Sequence, residues 1–206
     1  THRDHSPLAR ALKVATGAQG LGFGNTPDDG RQDEHFVPDR ALRDGDVVDC
    51  GVYKLRAVHT PGHASNHLCY LLEDRGVLFT GDHVMQGSTV VISPPDGDMQ
   101  AYLDSLQRLL ELPIGAFAPG HGHVITTPQD EVRRLIAHRL RREDKIHAAL
   151  AITGASTLEE LVRVAYDDVP ERIHHVAMRS LHAALIRLEK NGRVNRDGAQ
   201  WRVIER

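Results

Sequence analysis

The sequence lacks most features that would mark a specialised class. Its only cysteines are Cys50 and Cys69, too few for a disulfide scaffold and without CxxC spacing. Both read as buried, reduced thiols, and with no secretory leader visible the expectation is a cytoplasmic protein. Aromatic residues are scarce, at 4% with a single Trp. No apolar run approaches the roughly 18 residues of a membrane helix, so no membrane partner is expected. Neither sign of charge dominates: 25 Lys+Arg face 28 Asp+Glu, a net of -3. That excludes a chain-wide polycation. Disorder requires low hydrophobicity with high net charge, whereas 40% of this chain is hydrophobic. The 206 residues accommodate one large domain, or one medium domain and one small one. The first residue is Thr1 rather than an initiator Met.

What the chain has in excess is histidine, 14 in all. Charge divides the chain into an acidic part, residues 1–130, a basic stretch, 131–145, and a nearly neutral tail, 157–206. Residues 7–15 predict a short helix with Pro7 in its first turn. Residues 17–45, rich in Gly, Asp and Pro, predict a loop with a brief strand near Phe36. From Asp46 the pattern becomes short β runs: DVVDC, YKLRAVHT, HLCYLLE, VLFTGD and TVVIS, separated by turn residues. Asp98 is placed to cap a helix whose Leu103, Leu106, Leu109 and Leu110 follow at helical spacing. AFAPG predicts a strand, and 128–152 a long helix opened by Pro128. Thr157 and Glu160 form a capping-box pattern for a helix through Tyr166. A second helix is expected from Pro170 to Asn191, stopped at Gly192. A hairpin with an Asp-Gly turn follows. Helix, helix and hairpin together predict a winged-helix unit.

The histidines cluster at strand ends. His2-Arg3-Asp4-His5 sets three potential ligands in four residues. Thr60-Pro61-Gly62-His63, Phe79-Thr80-Gly81-Asp82 and Ala118-Pro119-Gly120-His121 each follow an expected strand. Strands of one sheet end along a common edge, so His63, Asp82 and His121 should meet there, facing the HxDH loop. Imidazole and carboxylate ligands suit zinc, and also iron or manganese. No cysteine is among them, so a closed structural zinc site is excluded. Each motif alone is weak, since a lone His after Pro-Gly is ordinarily a turn residue. The ordered set is what carries the reading.

In this order the motifs resemble the metallo-β-lactamase superfamily of hydrolases, whose signature is HxHxDH followed by His, Asp and His. TPGHASNHLCY, FTGDHV, the SPPDGDM loop, APGHGHVI and the TLEELVRVAY…LIRLEKNGRV tail look like its glyoxalase-II-like group. The nearest branch is that of β-lactamase-like protein 2, with a C-terminal winged helix. The resemblance covers essentially the whole chain. It implies an α+β architecture: an αββα sandwich over 1–152, lacking its N-terminal part, then a winged helix over 153–206. It implies two metal ions, zinc foremost. His2 and His63 would serve one, Asp4, His5 and His121 the other, and Asp82 both. Asp4 would also orient a bridging hydroxide or accept its proton, or serve as a ligand alone. The first His of the family motif would precede Thr1. The resemblance therefore implies a chain that starts inside its own site, short of the strands that lead into it.

Other histidines carry weaker signals. His67 and His83, beside ligand positions, are expected to support the ligands or simply to pack. His59 reads as structural and His123 as a pocket rim. His35, His138, His147, His174, His175 and His182 read as ordinary surface or helix residues. The 93–98 loop either shapes the substrate entrance or only caps the next helix. Arg133, Arg134, Arg139, Arg141, Arg142 and Lys145 either attract phosphate or form a solvated helix face. The tail lacks a dense basic recognition helix, so packing or homodimerisation is expected of it. Three functions stay open at this stage. The first is a dinuclear zinc hydrolase using a metal-bound hydroxide on a small-molecule ester or thioester, or on a phosphodiester, including the single-stranded RNA endonuclease activity of the winged-helix branch. The second is a nucleic-acid-binding module. The third is an inactive remnant.

Overall fold

The computed structural model describes residues 1–24, 27 and 29–204. Helix α1 (Leu8–Thr16) follows the HxDH segment and ends on Gly17. Two short strands, β1 (Leu21–Phe23) and β2 (Arg40–Leu42), pair in parallel. This corrects the expected strand near Phe36. The Phe36 ring instead covers Gly22, where an added Cβ would meet Phe36 Cε1 at 3.1 Å.

The main sheet has five strands: β3 (Val47–Asp49), β4 (Lys54–His59), β5 (Leu68–Leu72), β6 (Val77–Gly81) and β7 (Ala116–Pro119). They lie in sequence order, antiparallel until the parallel β6–β7 pair. The parallel step requires a crossover, and α2 (Met99–Leu109) provides it, capped by the Asp98 carboxylate accepting from Ala101 N–H at 2.9 Å. Val58, Cys69, Leu71, Leu78 and Phe117 on one sheet face pack against Tyr102, Leu106 and Leu109 of α2, with Val132 and Leu135 of α3 (Pro128–Thr153) behind them. Phe79 alternates to the other face and is 45% exposed. Cys69 is buried as expected, whereas Cys50 lies exposed just beyond β3, a correction.

TVVIS is not a strand. Val90 and Ile92 are buried, but among the described residues their segment pairs with no strand. Side chains bond the Val90 and Val91 carbonyls and the Ile92 N–H instead, so residues 89–93 form a strap rather than a β element.

A second core follows. Helix α4 (Leu158–Ala165) opens with the complete capping box of Thr157 and Glu160. Helix α5 (His174–Lys190) is preceded by a 3-10 turn at Glu171–Ile173, so the α-helix starts later than Pro170. Strands β8 (Val194–Asp197) and β9 (Gln200–Val203) form the hairpin, turning at Gly198 with φ +57°. Ser156 adds a bridge to Trp201. Ile146 and Leu150 of α3 pack with Leu161, Leu181, Leu185, Leu188 and Trp201. Helix α3 therefore serves both cores. Helix α5 is tied back to the first: Arg187 bonds Glu143 and donates to Gln100 Oε1 at 2.7 Å, and Lys190 donates to Asp98 at 3.0 Å. Among the described residues, no helix is long and apolar enough to cross a membrane.

Candidate active site

Three strand exits and the N-terminal loop build the site. β4 ends in the Thr60–His63 turn, β6 in Gly81–Asp82 and β7 in Gly120–His121. Gly62 has φ +134°, and a Cβ there would stand 2.3 Å from Tyr102 Cα. Only glycine lets the His63 turn lie so close against α2. Gly120 likewise lets His5 close in, since a Cβ would meet His5 Cε1 at 3.0 Å.

All six residues picked from the sequence come together. Asp4, His5, Asp82 and His121 form one group and His2, His63 and Asp82 another, the donor atoms within each lying within 4.8 Å of one another. His5 Nε2 is 3.2 Å from Asp82 Oδ2 and 3.6 Å from Asp4 Oδ2. His121 Nε2 is 3.6 Å from Asp4 Oδ2 and 3.5 Å from Asp82 Oδ1. In the other group, His63 Nε2 is 3.1 Å from His2 Nδ1 and 3.6 Å from Asp82 Oδ2. Asp82 is the one residue common to both. The site opens onto a cavity of about 450 Å³ lined also by Asn66, Tyr70 and Phe79.

The donor set fits divalent cations. His63 Nδ1 lies 2.8 Å from the Val91 carbonyl. A carbonyl only accepts, so Nδ1 carries a proton, and a ring with that single proton presents Nε2 as a lone pair facing the group. Among the described residues, buried His2 Nε2 and Asp82 Oδ1 have no hydrogen-bond partner, a cost that a cation would remove. Burial, then the neighbouring His63, pushes the His2 imidazole below its ordinary pKa. Partial burial alone would raise the Asp4 carboxyl, but its own backbone N–H and the surrounding His5, His2 and His121 hold it below the usual value.

His67 and His83 lie behind the site. His67 Nδ1 pairs with Thr60 Oγ1 at 2.9 Å, and burial, then His83 and His63, push its pKa well down. His83 is fully buried against Tyr102, and burial lowers its pKa to about 3. His59 stacks on Phe23, in keeping with a structural part. His123 is exposed. The 93–98 loop caps α2 through Asp98 and holds the His63 turn through Asp96, whose Oδ2 accepts from Ser65 N–H at 3.0 Å. Much of the basic helix face is spent internally. Arg142 and Lys145 bind Asp168, Arg133 and Arg134 bind Asp130 and Glu131, and Arg139 is buried over Tyr102. Sequence reasoning missed the Val91 carbonyl and Asp29, whose Oδ2 is 4.0 Å from His2 Nε2. A backbone carbonyl has no side-chain signature to find.

Comparison with known proteins places the chain in a family. Residues 2–121 match the metallo-beta-lactamase superfamily, and residues 157–201 the beta-lactamase associated winged helix domain. An atrochrysone carboxyl ACP thioesterase of Aspergillus chevalieri is 35% identical over 164 residues, covering 76% of this chain and 49% of that protein. A beta-lactamase-like protein 2 homolog of Drosophila melanogaster is 32% identical over 142 residues, covering 68% of this chain and 47% of that one. The chain thus spans about half the length of these relatives. The crystal structure of a metallo-beta-lactamase family protein from Thermus thermophilus superposes with a TM-score of 0.72 at 25% identity, covering 98% of this chain and 66% of that one. With its histidine-aspartate strand ends and its two cores in this order, the chain belongs to the metallo-beta-lactamase superfamily, in the group that carries the associated winged helix.

Proposed function

We propose that the chain carries the site of a dinuclear metal hydrolase acting on a small-molecule thioester. One observation carries the reading: two donor groups, one of His2 and His63, the other of Asp4, His5 and His121, share Asp82. The first group would hold one ion and the second the other, with Asp82 between them. Nitrogen and carboxylate donors without thiolate suit zinc, with iron or manganese as the other candidates. When bound, such ions lower the pKa of water toward neutrality and polarise a carbonyl.

The chain's own residues do the rest. Asp4 Oδ2, reachable from solvent and flanked by His5 and His121, takes the proton of the attacking water and returns it to the departing sulfur. The water oxygen forms the new bond to the thioester carbon, the C–S bond breaks, and a carboxylic acid and a thiol leave. The Val91 carbonyl keeps His63 in one tautomer throughout. A relative named as an ACP thioesterase supports the substrate class. The phosphodiester alternative draws no support from α3, whose Arg142 and Lys145 are engaged by Asp168.

The test is release of free thiol from a panel of acyl thioesters, beside a chromogenic phosphodiester. Zinc-loaded protein should hydrolyse thioesters. Asp82→Asn should lower the rate about a hundredfold, the upper end of the loss seen for partners of metal ligands, because it removes a charged oxygen common to both donor groups. Phosphodiester turnover exceeding thioester turnover would reverse the choice of substrate.

A further inference from the structure

The strap at 90–92 is held at three consecutive residues by three different elements. Arg139 of α3 donates to the Val90 carbonyl. The Val91 carbonyl accepts from His63 Nδ1 at 2.8 Å. Ile92 N–H donates to Ser180 Oγ of α5 at 3.1 Å. Ile92 is fully buried, Ser180 is 8% exposed and Arg139 7%, so water offers these groups little substitute. Among the described residues the segment pairs with no strand. The position of the Val91 carbonyl is therefore set largely by the side chains above and below it.

That carbonyl decides which nitrogen of His63 carries the proton. With the proton on Nδ1, the Nε2 lone pair faces His2 and Asp82. With the proton on Nε2, an N–H would point there instead. Partners that hold a histidine's far nitrogen fix its tautomer and raise its affinity for a metal.

We propose that Ser180 and Arg139 are positioning residues for the site. They clamp the strap so that Val91 locks His63 in its Nδ1–H tautomer, and through Ser180 the winged helix sets the affinity of the His2–His63–Asp82 group for a divalent cation. The affinity part rests on the metal reading given above; the tautomer part does not.

The experiment uses the full chain with ¹⁵N-labelled imidazoles, free of metal, and three variants. Ser180→Ala removes the acceptor, Ser180→Thr keeps a hydroxyl, and Arg139→Met releases the strap from the α3 side. Long-range ¹H–¹⁵N spectra should show His63 as the Nδ1–H tautomer in the parent and as a mixture in Ser180→Ala and Arg139→Met. Competition with a chromophoric chelator should show zinc affinity roughly tenfold weaker in Ser180→Ala, at the low end of the 10–100-fold range for partners of metal ligands. Ser180→Thr should restore both readouts, which a loss of packing alone would not explain. An unchanged His63 tautomer in folded Ser180→Ala and Arg139→Met, with parental zinc affinity, overturns the proposal. If the parent takes up no zinc, the metal reading falls, and the tautomer spectra decide the strap by themselves.

Discussion

Replacing Glu143 by Ala tests how the two cores are joined. Glu143 lies on α3 with only 6% of its side chain exposed, bound to Arg187 of α5, itself 17% exposed. Arg193 Nη1 stands 3.7 Å from its other oxygen. Removing the carboxylate leaves the Arg187 guanidinium largely buried, with the Gln100 amide oxygen at 2.7 Å as its remaining close partner. Breaking one side of a buried ion pair costs about 3–5 kcal/mol. We expect the lower figure, about 3, because Gln100 stays. For a chain of this size each kcal/mol moves Tm by roughly 2–4 °C, so Glu143→Ala should melt about 6–12 °C below the parent. Calorimetry gives the whole transition. The fluorescence of Trp201, the single tryptophan and 1% exposed in the second core, reports that core separately. The double change Glu143→Leu with Arg187→Met should recover most of the loss, since apolar replacements of a buried pair are often neutral or better. A loss below about 1 kcal/mol for Glu143→Ala would refute the reasoning, as would a double variant no better than the single.

Three other outcomes follow from particular atoms. Gly62→Ala drives a Cβ into the Tyr102 backbone at 2.3 Å; the variant should lose zinc uptake and melt several degrees lower, whereas Gly17→Ala, with open space around it, should cost only the smaller penalty of a left-handed backbone. Burial raises the Cys69 thiol to about 12 from an ordinary 9.0, so a thiol reagent at neutral pH should label Cys50 alone and reach Cys69 only in denaturant. The same shift makes the folded state bind the proton more tightly than the unfolded chain. Its stabilising effect is therefore complete below about pH 9 and is lost as pH rises toward 12. Denaturation curves of Cys69→Ala should fall less steeply than the parent's across that window.

The candidate site was legible in the sequence because its chemistry sits in side chains at strand ends. TPGH, TGD and PGH each announce a strand, a turn and a donor, and the sheet brings His63, Asp82 and His121 to one edge. The helices were legible through caps, as Asp98 and the Thr157–Glu160 box show. What hid was whatever depends on tertiary neighbours. TVVIS has the composition of a buried strand, and alternation cannot tell a strand from an apolar strap that side chains satisfy. The pairing of Leu21–Phe23 with Arg40–Leu42 joins two very short stretches across a Gly- and Asp-rich loop that carries no periodicity. Arg139 and Arg142 looked like part of a surface face because sequence shows charge and not burial. Only the fold reveals that they join α3 to the strap and to Asp168.

The central claim is that two cation sites share Asp82, and metal content per chain tests it most directly. The gel-filtered protein, loaded with zinc and dialysed, should hold close to two ions per chain by elemental analysis, and Asp82→Ala less than one. A soluble, monodisperse parent that holds close to none, or an Asp82→Ala variant that keeps both, would contradict the account.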